Sequence, residues 1–315
     1  MSHTNNKLYI GLTLLMSLLI LGTFPSYSGP FLTMCAIQVF IYVAAAQMWS
    51  FLAGHLGVIS LGQQAFIGMG MYTLAILNEI YKWPLSVSMI LSGLAGAVIA
   101  AVVSLSFLRL RGFYFAVATI LVAETLSNLF RNWTFVGAST GMRLSVGYEI
   151  PVNVIYYVAC ALSALSILTV YCFHSSKLGF AIRAIGCDED AASEIGVNTF
   201  ACKAYCFIVS GFITGLTGAV FTLQTMFVHP QAGFGFEWGL ALVFISVIGG
   251  MGTIMGPVIG SIIYVTLRNI LSGYMGLSLL LQGALCIAIL TVAPEGVWGL
   301  ISKYVRKRFK IPFFI

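Results

Sequence analysis

The chain has 315 residues, of which 60% are hydrophobic and 8% charged, with a net charge of +6. A soluble domain carries roughly 25% charged residues. A mean hydropathy of +1.01 therefore excludes a water-soluble globular fold and makes a bilayer the solvent. The positive charge forms no basic stripe interleaved with aromatics, which excludes a nucleic-acid partner; it is densest in the tail, at Lys303, Arg306, Lys307, Arg308 and Lys310.

Apolar runs between polar or Gly/Pro breaks predict membrane spans at 8–24, 31–53, 56–77, 85–108, 113–130, 152–173, 204–227, 238–250, 254–272 and 276–293. This makes an all-α polytopic bundle of about ten helices, at about 20 residues per crossing. The first run follows Lys7 as a secretory signal does. However, Pro25-Ser26-Tyr27-Ser28-Gly29-Pro30 offers no small-residue cleavage pattern and the next span starts at once, so a retained helix is expected. The run 238–250 is short, and Gly249-Gly250 and Gly252 follow it; a half-helix or re-entrant element is expected there.

Lysine and arginine placement sets the orientation. With the N-terminus inside, the cytoplasm receives Lys7, Arg109, Arg111, Lys177, Arg183, Lys203 and the basic tail 299–315. The outside receives Lys82, Arg131, Arg143 and Arg268. Both termini are expected in the cytoplasm, with the whole of 1–315 forming one transmembrane domain.

Several stretches depart from a lipid-facing helix. Ser60, Gln63 and Gln64 are spaced i, i+3 and i+4, one helical face, amid Gly57, Gly62, Gly68 and Gly70. Two adjacent amides in hydrocarbon need partners or water. Either they line a substrate route or they bind a neighbouring helix. Glu124 lies within a span, with Ser127 and Asn128 at i+3 and i+4 and Arg131 or Arg143 as candidate counter-charges. A membrane carboxylate is a functional candidate by default, and a polar clamp is the alternative. The external loop 131–151 carries Trp133, Gly137, Thr140, Gly141 and Gly147. The loop 228–237, with His229-Pro230 and Gly233-Phe234-Gly235-Phe236-Glu237, is expected to fold back into the membrane or meet an external partner.

The longest charged stretch runs from Lys177 to Lys203. Within it Asp188, Glu189 and Asp190 favour a helix N-terminus through the helix dipole. Ala191 and Ala192 continue the helix, Glu194 adds charge and Gly196 stops it. The result is a short amphipathic helix at the membrane surface, suited to touching a soluble partner.

Cys35, Cys160, Cys172, Cys187, Cys202, Cys206 and Cys286 are scattered without a C-x-x-C pair, so they read as small packing residues. The four histidines are dispersed and no metal site is expected. The chain has no Gly-Lys pair and hence no Walker A motif, no nucleophile elbow and no zinc-binding His pair. It is expected to be no enzyme and to bind no cofactor directly; any ATP is used by partner subunits.

Four blocks, Gly57–Thr73, Leu108–Thr119, Lys177–Gly218 and Gly249–Gly260, resemble in order the permeases of branched-chain amino-acid ABC importers, of the LivM type. The resemblance implies a type II importer bundle related to the vitamin B12 importer fold, in the bacterial inner membrane. It also implies a heterodimer with a sister permease, two ATP-binding cassette subunits and a periplasmic substrate-binding protein. It places Asp190, Ala191, Ala192 and Gly196, with Arg183, Asp188 and Glu189 beside them, in the ATPase-coupling segment 177–203. Ser60, Gln63, Gln64 and Glu124 are the candidates for the translocation path. The sequence departs from the family where an Ile-x-Leu-Pro tail would follow; Cys206, Ile208 and Val209 occupy that region. It also departs at Gly62-Gln63-Gln64-Ala65-Phe66 and at Thr140-Gly141-Met142, where the family has Thr-Gly-Gly. Urea, short amides and aromatic amino acids remain alternative substrates. The rival classes are an ion-coupled carrier, which needs paired intramembrane charges where the sequence offers Glu124 alone, and, more remotely, a membrane-embedded enzyme.

Overall fold

Among the described residues, six helical segments combine the length and apolarity of a membrane span: Pro30–His55, Leu85–Phe107, Phe113–Asn132, Val152–Ser175, Thr199–Thr225 and Pro230–Gly249. The computed structural model describes residues 22–25, 27–110, 112–145, 150–271, 280–281, 283–284, 286–288, 291 and 296–309, with backbone alone for 303–309. Most of the expected spans 8–24 and 276–293, together with Lys7, Arg111, Gly147 and the tail side chains from Lys303 onward, lie outside the described residues.

In chain order the helices are α1 (Pro30–His55), α2 (Gln63–Ala75, prolonged by a π turn at Ile76–Ile80), α3 (Leu85–Phe107), α4 (Phe113–Asn132), α5 (Val152–Ser175), α6 (Lys177–Cys187), α7 (Glu189–Glu194), α8 (Thr199–Thr225), α9 (Pro230–Phe234), α10 (Phe236–Gly249), α11 (Gly256–Ile270) and α12 (Gly296–Phe309). Prolines mark several starts. Pro30 stands at the head of α1, and Pro84 and Pro151 occupy the extended positions before α3 and α5, where a missing N–H costs nothing.

Two boundaries differ from the sequence reading. The third span does not begin at 56: Gly57 adopts φ +67°, residues 57–62 are non-helical, and the helix starts at Gln63. The span expected at 204–227 begins earlier, at Thr199, because the Asn198 side chain accepts from Ala201 N at 3.0 Å and caps the helix there; Lys203 is thus a helical residue. The element expected at 238–250 is α10, preceded by the short α9. The loop 228–237 does fold back into the bundle: Pro230, Gly233 and Phe234 are buried, and Phe234 fills the space beside Gly68.

Helix α8 is the hub, with 72% of its apolar window buried. Its contacts with α2 and α3 are backbone to backbone. A Cβ on Gly70 would fall 2.0 Å from the Gly215 carbonyl oxygen, and one on Gly218 would fall 2.0 Å from that of Ile67. With no hydrophobic effect between helices in lipid, such close approach supplies dispersion contact instead. The cores between helices carry aromatic anchors, including Tyr72, whose ring lies tilted with its centroid 4.2 Å from that of Phe130.

At one end of the bundle two loops are tied together. Strand β1 (Met142–Arg143) pairs antiparallel with β2 (Phe227–Val228). Next to it, beyond the third span, Glu79 accepts hydrogen bonds from the Ser145 backbone N–H and hydroxyl and lies 3.4 Å from Lys82. Burial disfavours the Glu79 carboxylate, but the two Ser145 hydrogen bonds and the Lys82 charge outweigh it and hold the carboxyl below its ordinary range.

Two outcomes follow. Gly70→Ala should lower detergent-solubilised stability by about 1–3 kcal/mol through overpacking, whereas Gly29→Ala, where nothing lies within 4 Å, should change melting little. The Glu79 latch contributes fully above the ordinary carboxylate pKa of about 4.3 and is lost as pH falls through the lowered folded value. Glu79→Ala at neutral pH should mimic that loss, speeding Ser145 amide exchange on the order of tenfold, as expected for a hydrogen bond to a charged group.

Candidate functional site

The charged stretch forms two helices joined by one residue. Helix α6 turns sharply off α5: Gly179 packs where a Cβ would lie 2.3 Å from the Phe173 carbonyl oxygen, and Ser176 Oγ accepts from Gly179 N at 3.3 Å. Its Gly179, Ile182 and Ile185 face inward. Gly186 abuts the end of α1, where a Cβ would sit 2.2 Å from the His55 carbonyl oxygen. Asp188 then caps α7, its Oδ1 accepting from Asp190 N at 2.9 Å and Ala191 N at 3.1 Å, which satisfies amides that a six-residue helix otherwise leaves open. Gly196 closes the helix at φ +89°.

The segment is bolted to the bundle by charge. Lys203, 7% exposed in the first turns of α8, places Nζ 2.6 Å from Glu189. Ala192 is 2% exposed and packs into this chain, so the outward edge consists of Asp190, Ala191, Ser193, Glu194 and Ile195, the last 76% exposed. Arg183 does not join that edge. Its guanidinium sits 3.2 Å from a His174 ring nitrogen and 4.9 Å over the Phe180 ring.

The polar face expected of Ser60, Gln63 and Gln64 is not one helical face, because Ser60 lies in the non-helical stretch before α2. Its carbonyl accepts from Trp49 Nε1 at 2.6 Å, and Leu61 N donates to Thr119 Oγ1 at 3.2 Å; these contacts hold the chain off the helix. All three side chains are buried. Gln63 Nε2 donates to Ser210 Oγ on α8 at 3.3 Å, an interhelical contact, while the side-chain oxygens of Gln63 and Gln64 have no hydrogen-bond partner among the described residues.

Glu124 stands apart from them. The buried stripe of α4 is Phe115, Ala116, Thr119, Ala123, Ser127 and Phe130. Glu124 lies on the opposite, exposed face with Leu121, Thr125 and Asn128. Ser127 thus turns inward rather than toward it, and neither Arg131 nor Arg143 pairs with it. Arg131 lies seven positions on in the last turn of the same helix, and Arg143 lies in β1.

A second polar group was missed by the sequence reading. Three helices meet at glycines near the α6–α7 end. A Cβ on Gly54 would lie 2.4 Å from Gly252 Cα, and one on Gly249 would lie 1.8 Å from the Gly256 carbonyl oxygen. Tyr42 precedes Gly54, Glu237 precedes Gly249 and Arg268 follows Gly256 by the same twelve positions, about 18 Å at 1.5 Å per residue. They therefore share one level, which falls midway along the 26-residue α1. Arg268 Nη1 donates to the Tyr42 hydroxyl. Tyr42 in turn packs 5.0 Å from the Tyr264 ring and 5.2 Å from that of Trp238. The only signal in sequence was Glu237 and Arg268 near the ends of short apolar runs, where each reads as a loop residue.

The α7 cap gives a direct check: Asp188→Ala should cost about 1 kcal/mol locally, read as roughly fivefold faster amide exchange at Asp190 and Ala191 with global melting unchanged.

Residues 31–292 match the family model described as branched-chain amino acid transport system / permease component. The high-affinity branched-chain amino acid transport system permease protein LivM of Salmonella typhimurium is 26% identical over 292 residues, covering 83% of this chain and 68% of that protein. LivH of the same organism is 27% identical over 176 residues, covering 55% of each chain. The ribose import permease protein RbsC of Haemophilus influenzae is 30% identical over 139 residues, covering 43% and 41%. No solved structure matches. A multi-pass helical bundle whose match to the permease model runs from the start of α1 to residue 292 leaves one conclusion: the chain belongs to the branched-chain amino acid transport system permease family.

Proposed function

We propose that this permease carries a small amino acid, of the branched-chain class, into the cytoplasm, driven by ATP hydrolysed on two separate cassette subunits. It works as one half of a heterodimer with a sister permease of the LivH kind and takes substrate from a periplasmic binding protein. The segment 177–203 and both termini face the cytoplasm. The observation that carries this reading is α7: a capped helix with an exposed edge, anchored through a buried lysine to the hub helix of the bundle.

The route of force follows from those anchors. Closure of the ATPase dimer on ATP displaces the edge Asp190–Ile195. The Lys203–Glu189 pair transmits the displacement to α8, and the Gly186–His55 contact transmits it to α1. Because α8 meets α2 and α3 through glycine-to-carbonyl contacts with no compressible side chain between them, these helices shift as a unit. The bundle opens outward to receive substrate, and hydrolysis resets it. Ala192, packed inward, serves the shape of α7, while Ala191 and Ile195 are placed to meet the partner.

The test is coupled uptake by the reconstituted complex in proteoliposomes. Ala191→Trp should leave the complex assembled but lower L-leucine uptake at least tenfold and abolish stimulation of the ATPase by liganded binding protein. Normal coupled uptake by this variant would remove α7 from the coupling path, and uptake driven by a proton gradient without ATPase subunits would favour an ion-coupled carrier.

A further inference from the structure

Resting on the amino-acid import reading, we propose that Arg268, Glu237, Tyr42 and Tyr264 form a socket for the zwitterionic head of a free α-amino acid, halfway across the bilayer. On the import reading the glycine contacts at the α6–α7 end lie at the cytoplasmic interface, which puts the layer about 18 Å deep, a little past the midplane of a hydrocarbon core about 30 Å thick. Ionisable side chains at that depth are costly and mark substrate or ion routes.

Three simpler accounts fail on the geometry. Snorkelling carries a charge out to the interface; Arg268, in the last turn of α11, and Glu237, in the first turn of α10, are instead level with the middle of α1, and Arg268 turns in to the buried Tyr42 hydroxyl. A structural ion pair is not made. Arg268 gives its hydrogen bond to Tyr42, and Glu237 has no hydrogen bond or ion pair among the described residues, although it acts electrostatically on Arg268, Tyr42 and Tyr264. A proton relay needs groups that exchange protons, and a guanidinium does not give its proton up.

What remains is a cation and an anion near each other, not touching, both exposed at the surface of the chain, with aromatic rings beneath them. An α-amino acid presents a carboxylate and an ammonium on one carbon. The carboxylate suits the planar fork of Arg268, and the ammonium suits Glu237 with ring faces beside it. Trp238, packed 5.0 Å from Phe221, extends the apolar wall for an aliphatic side chain. Urea or a neutral amide would leave both charges unanswered, so the socket selects against the alternative substrates of the class.

The experiment compares L-leucine uptake and ATPase activity in proteoliposomes containing the whole complex. Glu237→Gln and Arg268→Gln should each lower uptake at least tenfold, while stimulation of the ATPase by liganded binding protein stays within twofold of the unmodified complex. Arg268→Lys should retain more uptake than Arg268→Gln. Unchanged uptake in both glutamine variants would overturn the socket and leave the import reading standing. Should Arg268→Gln fail to assemble, Glu237→Gln decides alone, because its carboxylate makes no hydrogen bond or ion pair among the described residues. An unmodified complex that hydrolyses ATP yet moves no amino acid would overturn the import reading itself, and the socket with it.

Discussion

The 2.6 Å pair between Lys203 and Glu189 is the contact on which the architecture turns. A lysine 7% exposed is tolerated in a bundle only because a carboxylate meets it. Removing one partner of a buried pair costs about 3–5 kcal/mol, and the partial exposure of Glu189 places this pair toward the lower end. That penalty keeps α7 from drifting away from α8, so a push on a short surface helix becomes a push on a 27-residue helix. Asp188 and Gly196 define the ends of α7. Ala192 fixes which side of it faces home.

The second constraint is the absence of water around the bundle. Backbone groups must be satisfied within helices, and helices must find attraction without a hydrophobic gradient. Glycine answers the second need at Gly70, Gly215 and Gly218, and again where Gly54, Gly249 and Gly256 bring α1, α10 and α11 together. The latter junction also sets the register of the bundle, because it fixes Tyr42, Glu237 and Arg268 at a common height. Packing by the smallest residues and placement of the largest polar ones are here one design.

Periodicity and composition made the long spans legible, because an apolar run of about 20 residues has few other fates. The helix start at Asp188 and its end at Gly196 were legible as well, since capping is local chemistry. Other features depend on distant residues. The late start of α2 follows from Trp49 and Thr119 holding the stretch around Ser60 and Leu61, and the early start of α8 follows from a single cap at Asn198. The inward turn of Ala192 follows from α6 and α8 enclosing it. The polar layer was hidden because Glu237 and Arg268 are far apart in sequence and each sits beside a break, where charge usually means solvent. Helix lengths measured from a shared contact were needed to place both level with the middle of α1.

The central claim is that the 177–203 hairpin faces the cytoplasm and is covered there by the ATPase subunits. Cys187, exposed at the turn between α6 and α7, reports on both points when it is the only cysteine retained. A membrane-impermeant maleimide should label it in inside-out vesicles and not in right-side-out ones, and bound ATPase subunits should shield it. Labelling from the periplasmic side would contradict the account, since no ATP-driven subunit could then reach the edge that α7 presents.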